Sequence, residues 1–288
     1  MSPDFGVFLI PEAASYPGLR RQVEAAERGG LDMIGIQDHP YQRRYLDSFA
    51  LIADLLARTE RLRFFPDVAN LPLRHPALLA TTAASLDVMS GGRFELGLGA
   101  GAFWDAIAAM GGPRRSPGES VEALKEAIAI LRAAWTEQSV TVRGEHYQVA
   151  GFRPGPPPAH PIGIWIGAYK PRMLRLTGRL GDGWLPSLGN TTPAALSEMQ
   201  QRIDDAAVQA GRDPRAIRRL LNVSGTITAG PAQELLQGPP AHWVEALTGL
   251  AAEQGFDGFV FWATAGDTLE QIERFAADVV PGVRAATA

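Results

Sequence analysis

The chain has 288 residues, of which 46% are hydrophobic and 20% are charged, and its formal net charge at pH 7 is −4. This composition supplies enough apolar surface for one large core, and the acidic balance argues against a nucleic-acid-binding face. The sequence contains no cysteine, which excludes disulfides, thiolate metal sites and cysteine nucleophiles.

Short apolar runs alternate with amphipathic segments along the whole chain. The apolar runs predict eight strands: Phe5–Ile10, Met33–Gln37, Leu62–Val68, Phe94–Leu98, Ile162–Ile166, Gly183–Leu185, Leu220–Ile227 and Gly258–Ala263. The amphipathic segments predict eight helices: Gly18–Arg28, Ser48–Ala57, Ala77–Met89, Val121–Trp135, Arg172–Leu180, Pro193–Ala210, His242–Gln254 and Leu269–Val279. Strict alternation favours a closed (β/α)8 TIM barrel over an open doubly wound sheet, and such barrels commonly use about 250 residues as one domain. We therefore expect one α/β domain spanning residues 1–288.

One segment, residues 136–161, interrupts the alternation of strands and helices before the fifth predicted strand. Val140–Arg143 and His146–Val149 predict a small hairpin, and the proline-rich stretch Phe152–His160 predicts an extended loop. We interpret the segment as an insertion packed on the barrel, and the pattern leaves open whether it covers an active site.

The active site of such a barrel lies where its strands end at the C-terminal face. After the second predicted strand, His39 is placed to exchange a proton near neutral pH, with Asp38 orienting it or stabilising its charge. The alternative is that Asp38 caps the loop and His39 is a structural hydrogen-bonding residue. After the third strand, Arg74 and His75 are either anion ligands at a helix start or, as we favour, braces of their loop.

Alternating glycines at Gly97, Gly99 and Gly101 follow the fourth predicted strand. They do not match the dinucleotide pattern G-x-G-x-x-G, but they fit a strand end that a flat ring approaches closely. Trp104 nearby either lines a substrate pocket or packs at the barrel rim, and Trp184 is first a core residue and second a pocket residue.

The loop after the fifth predicted strand opens a helix with Lys170 and Arg172, a favourable pattern for binding phosphate. The alternative is a solvated basic pair. The five histidines show no zinc-binding spacing, so no metal site is expected, and neither a nucleophile elbow nor a P-loop is present. Paired carboxylates of a barrel glycosidase remain open.

Together, the ordered motifs resemble the luciferase-like flavin and deazaflavin oxidoreductases. The matching segments are Gly29–Asp32, Gln37–His39, Leu73–Pro76, Leu86–Arg93, Leu96–Gly101, Ile164–Arg172 and Leu180–Trp184. The resemblance implies an isoalloxazine-type ring in the barrel mouth, its phosphate on the Gly167–Arg172 loop, and a backbone bulge near Asp67–Val68, often with a non-proline cis peptide. It assigns catalysis to His39 and Asp38. It assigns cofactor binding to Asp67, Val68, Ala69, Gly99, Ala100, Gly101, Ala102, Asp105, Gly167, Ala168, Tyr169, Lys170, Pro171 and Arg172, and substrate contacts to Phe103, Trp104 and Trp184.

The resemblance is closest to the deazaflavin branch, which uses coenzyme F420 and has a histidine matching His39. The sugar-phosphate dehydrogenases of that branch carry an acidic residue where this chain has Ala102, and an asparagine where it has Asp105. We therefore expect a different, more apolar substrate beside Phe103 and Trp104.

Three hypotheses follow from the resemblance. The first is F420-dependent hydride transfer to or from a small organic substrate. The second is an FMN-dependent monooxygenase that uses O2 and a partner flavin reductase. The third is a barrel that binds a flavin-like ligand or a partner protein without catalysis. Members of this class are often homodimers.

No apolar run approaches the roughly 20 residues of a membrane span. The segment Met1–Ile10 lacks the basic start of a signal peptide. We therefore expect a soluble cytoplasmic enzyme without membrane contacts.

Overall fold

A computed structural model describes residues 2–288, in which parallel strands form a barrel. The strands are β1 (Asp4–Leu9), β2 (Met33–Ile36), β3 (Arg63–Pro66), β4 (Ala69–Asn70), β5 (Leu96–Gly99), β6 (Val140–Arg143), β7 (Gln148–Phe152), β8 (Ile164–Ile166), β9 (Gly183–Trp184), β10 (Arg218–Ile227), β11 (Gln237–Gly238) and β12 (Gly258–Ala263). The barrel sheet has the order β3-β2-β1-β12-β10-β9-β8-β5-β4, and β11 extends β10. The predicted (β/α)8 class is confirmed.

The barrel closes because β3 and β4 together occupy the third of its eight strand positions. Phe64 of β3 forms a parallel bridge with Phe94, just ahead of β5, and β4 pairs with β5 directly. The sequence predicted one strand over Leu62–Val68. The structure instead interrupts it at Asp67–Val68, where the peptide bond is cis, as the family resemblance implied.

Helices surround the barrel. They are α1 (Tyr16–Arg28), α2 (Ser48–Leu56), α3 (Pro76–Ser90), α4 (Trp104–Ala109), α5 (Pro117–Thr136), α6 (Pro171–Leu180), α7 (Pro193–Gln209), α8 (Pro240–Gln254), α9 (Thr268–Arg274) and α10 (Val280–Ala286). Three departures from prediction concern helices. Neither α4 nor α10 was predicted, and the predicted helix Leu269–Val279 is α9 followed by a π-helical turn over Phe275–Val279. None of the helices within residues 2–288 combines the length and apolarity needed to cross a membrane.

The insertion forms an antiparallel hairpin, β6 and β7, outside the barrel. Its second strand is Gln148–Phe152 rather than the predicted His146–Val149, because the Glu126 carboxylate of α5 accepts hydrogen bonds from three successive backbone N–H groups, those of Glu145, His146 and Tyr147. These bonds hold that stretch as the turn.

The proline-rich end of the insertion is fastened to the end of α3. The buried carboxylate of Asp87 accepts from the backbone N–H of Ala159 and contacts Nδ1 of His160 at 2.6 Å. No residue of 136–161 lines the cavity at the opposite end of the barrel, so the insertion packs against the barrel wall.

Below the mouth, large side chains fill the barrel interior. The inner cluster consists of Met33, Phe65, Trp165, Leu185, Leu220 and Val260. Phe65 and Trp165 meet edge to face with ring centroids 5.0 Å apart. Each such side chain contributes roughly 1.5–3 kcal/mol by its burial. This packed layer is the base on which the cavity rests.

Candidate active site

A cavity of about 600 Å³ lies at the C-terminal ends of the barrel strands. Its volume falls within the range of about 300–1,000 Å³ typical of small-molecule sites. Every barrel strand position contributes to its wall, with Phe8, Gln37, Asp67, Gly99, Gly167, Leu185, Asn222 and Trp262 as examples. The site therefore depends on closure of the whole barrel.

Glycines on β5 and at the end of β8 make room for Val68, which follows the cis peptide. A Cβ added at Gly99 would lie 2.7 Å from Val68 Cγ2, and one at Gly167 would lie 3.3 Å from the same atom. A Cβ at Gly97 would lie 2.0 Å from the carbonyl oxygen of Pro66. The glycines thus admit the Val68 bulge, and the bulge itself forms the cavity wall that a flat ring would meet.

Asp38 is buried at the edge of the cavity, and both oxygens of its carboxylate accept hydrogen bonds from neighbouring residues. Its carboxylate accepts hydrogen bonds from Ser48 Oγ at 2.7 Å, from the backbone N–H of Asn70 at 2.8 Å, and from Arg74 Nε at 2.8 Å. Arg74 also contacts Asp47 at 2.7 Å. These contacts favour the interpretation of Arg74 as a brace, and they make Asp38 the anchor of the loop that carries His39.

His75 serves as a helix cap. Its Nδ1 accepts from the backbone N–H of Ala77 at 3.3 Å, and its ring meets Tyr147 of the insertion edge to face at 5.7 Å. This contact also favours the bracing interpretation over an anion ligand.

His39 lies in the mouth of the cavity among aromatic rings. Its imidazole stacks on Tyr41 with centroids 5.4 Å apart and meets Phe103 edge to face at the same distance. Burial lowers the pKa of His39 below its ordinary value of 6.5, an effect that the nearby Asp38 partly offsets. The ring is therefore neutral at pH 7 and able to accept a proton.

Tyr41 was not predicted as a site residue. Its hydroxyl is buried without a hydrogen-bond partner in residues 2–288, and burial raises the pKa of Tyr41 to about 12. It is therefore a neutral group with an O–H to donate. The signal in the sequence was an aromatic residue two positions after the candidate histidine.

The floor of the cavity is polar. Asn222 of β10 donates through Nδ2 to Asp67 Oδ1 and to Ser187 Oγ, each at 3.2 Å. Four residues that line the cavity each carry a buried side-chain oxygen with no partner within residues 2–288: Gln37 Oε1, Asp67 Oδ2, Asn70 Oδ1 and Asn222 Oδ1. A buried polar group left unpaired costs about 1–3 kcal/mol, so this floor suits a bound ring with hydrogen-bonding edges.

Sequence reasoning missed Gln37, Asn222 and Ser187. The available signal was Asn222, a polar residue that follows two leucines inside a predicted strand. The polar floor and the adjacent flat wall of Val68 together fit an isoalloxazine-type cofactor.

Most predicted site residues line this one cavity. They are Asp38, His39, Asp67, Val68, Ala69, Gly99, Ala100, Gly101, Ala102, Phe103, Gly167 and Tyr169. The Tyr169 hydroxyl accepts from the backbone N–H of Ser187 at 2.7 Å, which ties two of the loops at the rim together.

Four predicted residues of the site, of which the buried Ala168 is one, do not line the cavity. Trp184 occupies the core position that was predicted first for it: its indole is fully buried and donates to the carbonyl of Ala168 at 2.9 Å. Trp104 lies behind Gly101 and does not line the cavity. The Asp105 side chain is 93% exposed and pairs with Arg114 at 2.6 Å, outside the cavity.

The basic loop also lies outside the cavity lining. Lys170 and Pro171 mark the start of α6, and Arg172 faces Glu122 of α5 at 3.6 Å. The loop adjoins the cavity through Gly167 and Tyr169, so it occupies the rim.

Residues 3–257 match the luciferase-like monooxygenase family, and the chain belongs to that family. An F420-dependent glucose-6-phosphate dehydrogenase from Intrasporangium calvum is 27% identical over 90% of this chain and 92% of its own length. This relative confirms the predicted likeness to the deazaflavin branch.

Solved structures share the fold. An F420-dependent secondary alcohol dehydrogenase in complex with an F420-acetone adduct superposes with a TM-score of 0.87 at 18% identity, covering 98% of this chain and 99% of that one. The oxygenating constituent of 3,6-diketocamphane monooxygenase from Pseudomonas putida, in complex with FMN, gives a TM-score of 0.78 at 18% identity, with 98% of both chains covered. Both predicted cofactors thus occur among the proteins that this chain resembles.

Proposed function

We propose that this protein is an F420-dependent oxidoreductase that transfers a hydride between C5 of the deazaflavin and a small, uncharged organic substrate. The observation that carries the proposal is a ring-sized cavity in which partnerless polar oxygens form the floor and a neutral histidine stands at the mouth. The F420-dependent relatives favour the deazaflavin over FMN.

When bound, the deazaflavin would supply the carbon that accepts or gives the hydride. His39 would take the proton from a substrate hydroxyl during oxidation and return it during reduction. Asp38 and Arg74 would hold the His39 loop in place. The hydroxyl of Tyr41 would donate a hydrogen bond to an oxygen of the substrate, since its O–H has no protein partner.

The cavity lining favours an uncharged substrate. None of its residues, all within 2–288, is a lysine or an arginine, and its mouth is built from aromatic rings such as Phe103 and Trp262. A phosphorylated substrate inside the cavity would lack a cation to pair with. We therefore propose small alcohols, ketones or activated alkenes in place of a sugar phosphate.

The phosphate of the cofactor would lie on the Gly167–Arg172 loop at the rim. The exposed Lys170 stands directly ahead of the first turn of α6, where backbone N–H groups are free to bind an anion. The side chain of Arg172 is 56% exposed, so its ion pair with Glu122 is readily exchanged for one with a phosphate.

The test is a paired titration of the purified protein with F420 and with FMN, followed by fluorescence and calorimetry. We expect micromolar or tighter binding of F420 and weaker binding of FMN, and anaerobic turnover of F420 with a secondary alcohol. Preference for FMN, with O2 uptake by the reduced flavin, would instead support the monooxygenase with its partner reductase. Binding of neither would overturn both.

We also propose a homodimer that buries the outer face of α3. Leu78 and Met89 on this helix are 69% and 73% exposed, and its one charged residue, Asp87, is buried. Light scattering after gel filtration should give twice the mass of the chain, and Met89→Glu should shift it towards the monomer. A monomeric wild-type protein would contradict the proposal.

A further inference from the structure

The side chain of Asp67 reaches across the barrel interior beneath the cavity. It begins on the segment after β3, yet its Oδ1 accepts from Asn222 of β10, four strand positions away on the opposite side of the barrel. Its Oδ2 would lie 3.0 Å from a Cβ added at Gly35 on β2, so only a glycine leaves room for it there. The carboxyl is thus held by neighbouring elements at a fixed place in the floor.

One oxygen of this carboxyl has no hydrogen-bond partner. Asp67 Oδ2 is buried, and no donor within residues 2–288 reaches it. A buried carboxylate without a cation or a full set of donors is unfavourable, and such a group takes up a proton instead. Burial accordingly raises the pKa of Asp67 to about 7, although the hydrogen bond from Asn222 acts in the opposite direction.

The groups that face Asp67 do not supply a positive charge. The titratable residues that line the cavity with it are Asp38, His39 and Tyr41, on the loop after β2, and Tyr169 at the rim. Asp38 is paired with Arg74, and His39 and Tyr41 are neutral at pH 7. None of the other cavity-lining residues within residues 2–288 is titratable.

We propose that Asp67 is a positioning residue that binds the cofactor ring as a neutral acid, its Oδ2–H donating to a carbonyl oxygen or ring nitrogen at the edge of the ring. This inference rests on the proposed function, because it takes the cavity to be the cofactor site. The ligand class it selects is a fused heteroaromatic ring with acceptor atoms on the buried edge. Ring binding is then coupled to the protonation of Asp67.

The proposed coupling predicts in which direction cofactor affinity changes with pH. When Asp67 is ionised, it has no proton to donate and places a negative charge against the acceptor edge of the ring. Cofactor affinity is therefore highest below the pKa of Asp67 and falls above it, approaching about tenfold per pH unit, since one proton is taken up on binding.

The experiment compares wild-type protein with Asp67→Asn, which keeps the shape and always carries an N–H donor. The dissociation constant of F420 is measured by fluorescence from pH 6 to pH 9. We expect the wild-type-to-variant ratio of Kd to rise by at least about tenfold across this range. Because titration of the cofactor itself changes both dissociation constants equally, its effect cancels in the ratio. Asp205→Asn, on the exposed face of α7, is the matched control and should give a constant ratio.

A second measurement needs no variant. Calorimetric titration of the wild-type protein with F420 at pH 8, in two buffers of different ionisation enthalpy, should show net proton uptake that is absent in Asp67→Asn. A constant Kd ratio with no proton uptake, or loss of binding in Asp67→Asn at every pH, would overturn the inference while leaving the proposed function intact. No F420 binding by the wild-type protein at pH 6 would instead overturn the proposed function itself.

Discussion

The His39 imidazole is neutral, partly buried and surrounded by aromatic rings, which suits a group that accepts a proton from a substrate. Removing it with His39→Ala should lower kcat by about 100-fold or more, the usual contribution of a general base, with F420 affinity nearly unchanged. Because the pKa of His39 lies below 6.5, wild-type alcohol oxidation should decline only as the pH falls below that value.

Stopped-flow turnover and fluorescence titration measure the two effects separately. His242→Ala is the control, since this histidine caps a loop on the outside of the barrel through its contact with the carbonyl of Glu234. Undiminished turnover in His39→Ala would remove His39 from the proposed mechanism.

The Arg74–Asp38 pair is a second feature at the scale of single residues. The two side chains are 17% and 1% exposed, so Arg74→Met would leave a buried carboxylate without its charge partner. Loss of one partner of a buried pair costs about 3–5 kcal/mol, and urea unfolding should show a decrease of that size.

Arg215→Met, whose arginine is 90% exposed, should change the free energy of unfolding by less than about 1 kcal/mol. If Arg74→Met left the free energy of unfolding unchanged and abolished only phosphate binding, the result would support Arg74 as an anion ligand and contradict its role as a brace.

At the scale of elements, two glycines give opposite expectations for the same substitution. A Cβ at Gly97 in β5 would lie 2.0 Å from the Pro66 carbonyl oxygen, so Gly97→Ala must push β5 away from β3 and should cost about 2–3 kcal/mol or more. Gly249 lies inside α8 with open space around it, so Gly249→Ala should raise stability by about 0.5–1 kcal/mol. Urea denaturation of both variants tests the pair, and equal effects would contradict it.

Element boundaries were predictable where a single residue type dictates them. Pro193 marks the first residue of α7, as predicted, because proline suits a first helical turn. Helix α5 begins four residues before the predicted Val121, where Ser116 and Glu119 form a reciprocal capping box that the apolar pattern alone does not reveal. The interruption at Asp67–Val68 lies within an apolar run, so periodicity predicted one strand, and only the family resemblance indicated a bulge.

At the scale of the whole molecule, the barrel was predictable because eight alternating units leave few other topologies. His39 and Asp38 were predictable because they lie within three residues of the end of β2. Asn222 was not, because it is 155 residues from Asp67 along the chain and meets it only when the barrel closes. For Trp184 the sequence left a core and a pocket position open for a related reason: the side of a two-residue strand that faces the cavity depends on how that strand lies in the closed sheet.

Because the site is assembled from all the barrel strands, a ligand that fills it should stabilise the entire domain. At a concentration about 100 times its Kd, F420 should raise the free energy of unfolding by about 2.7 kcal/mol. For a domain of this size each kcal/mol corresponds to about 2–4 °C, so differential scanning fluorimetry should show a Tm increase of roughly 5–10 °C. Glucose 6-phosphate added alone should leave Tm unchanged, since the cavity lining contains no lysine or arginine to bind its phosphate. A Tm increase with glucose 6-phosphate alone would contradict the proposed substrate class, whereas an equal increase with FMN would contradict the proposed preference for the deazaflavin.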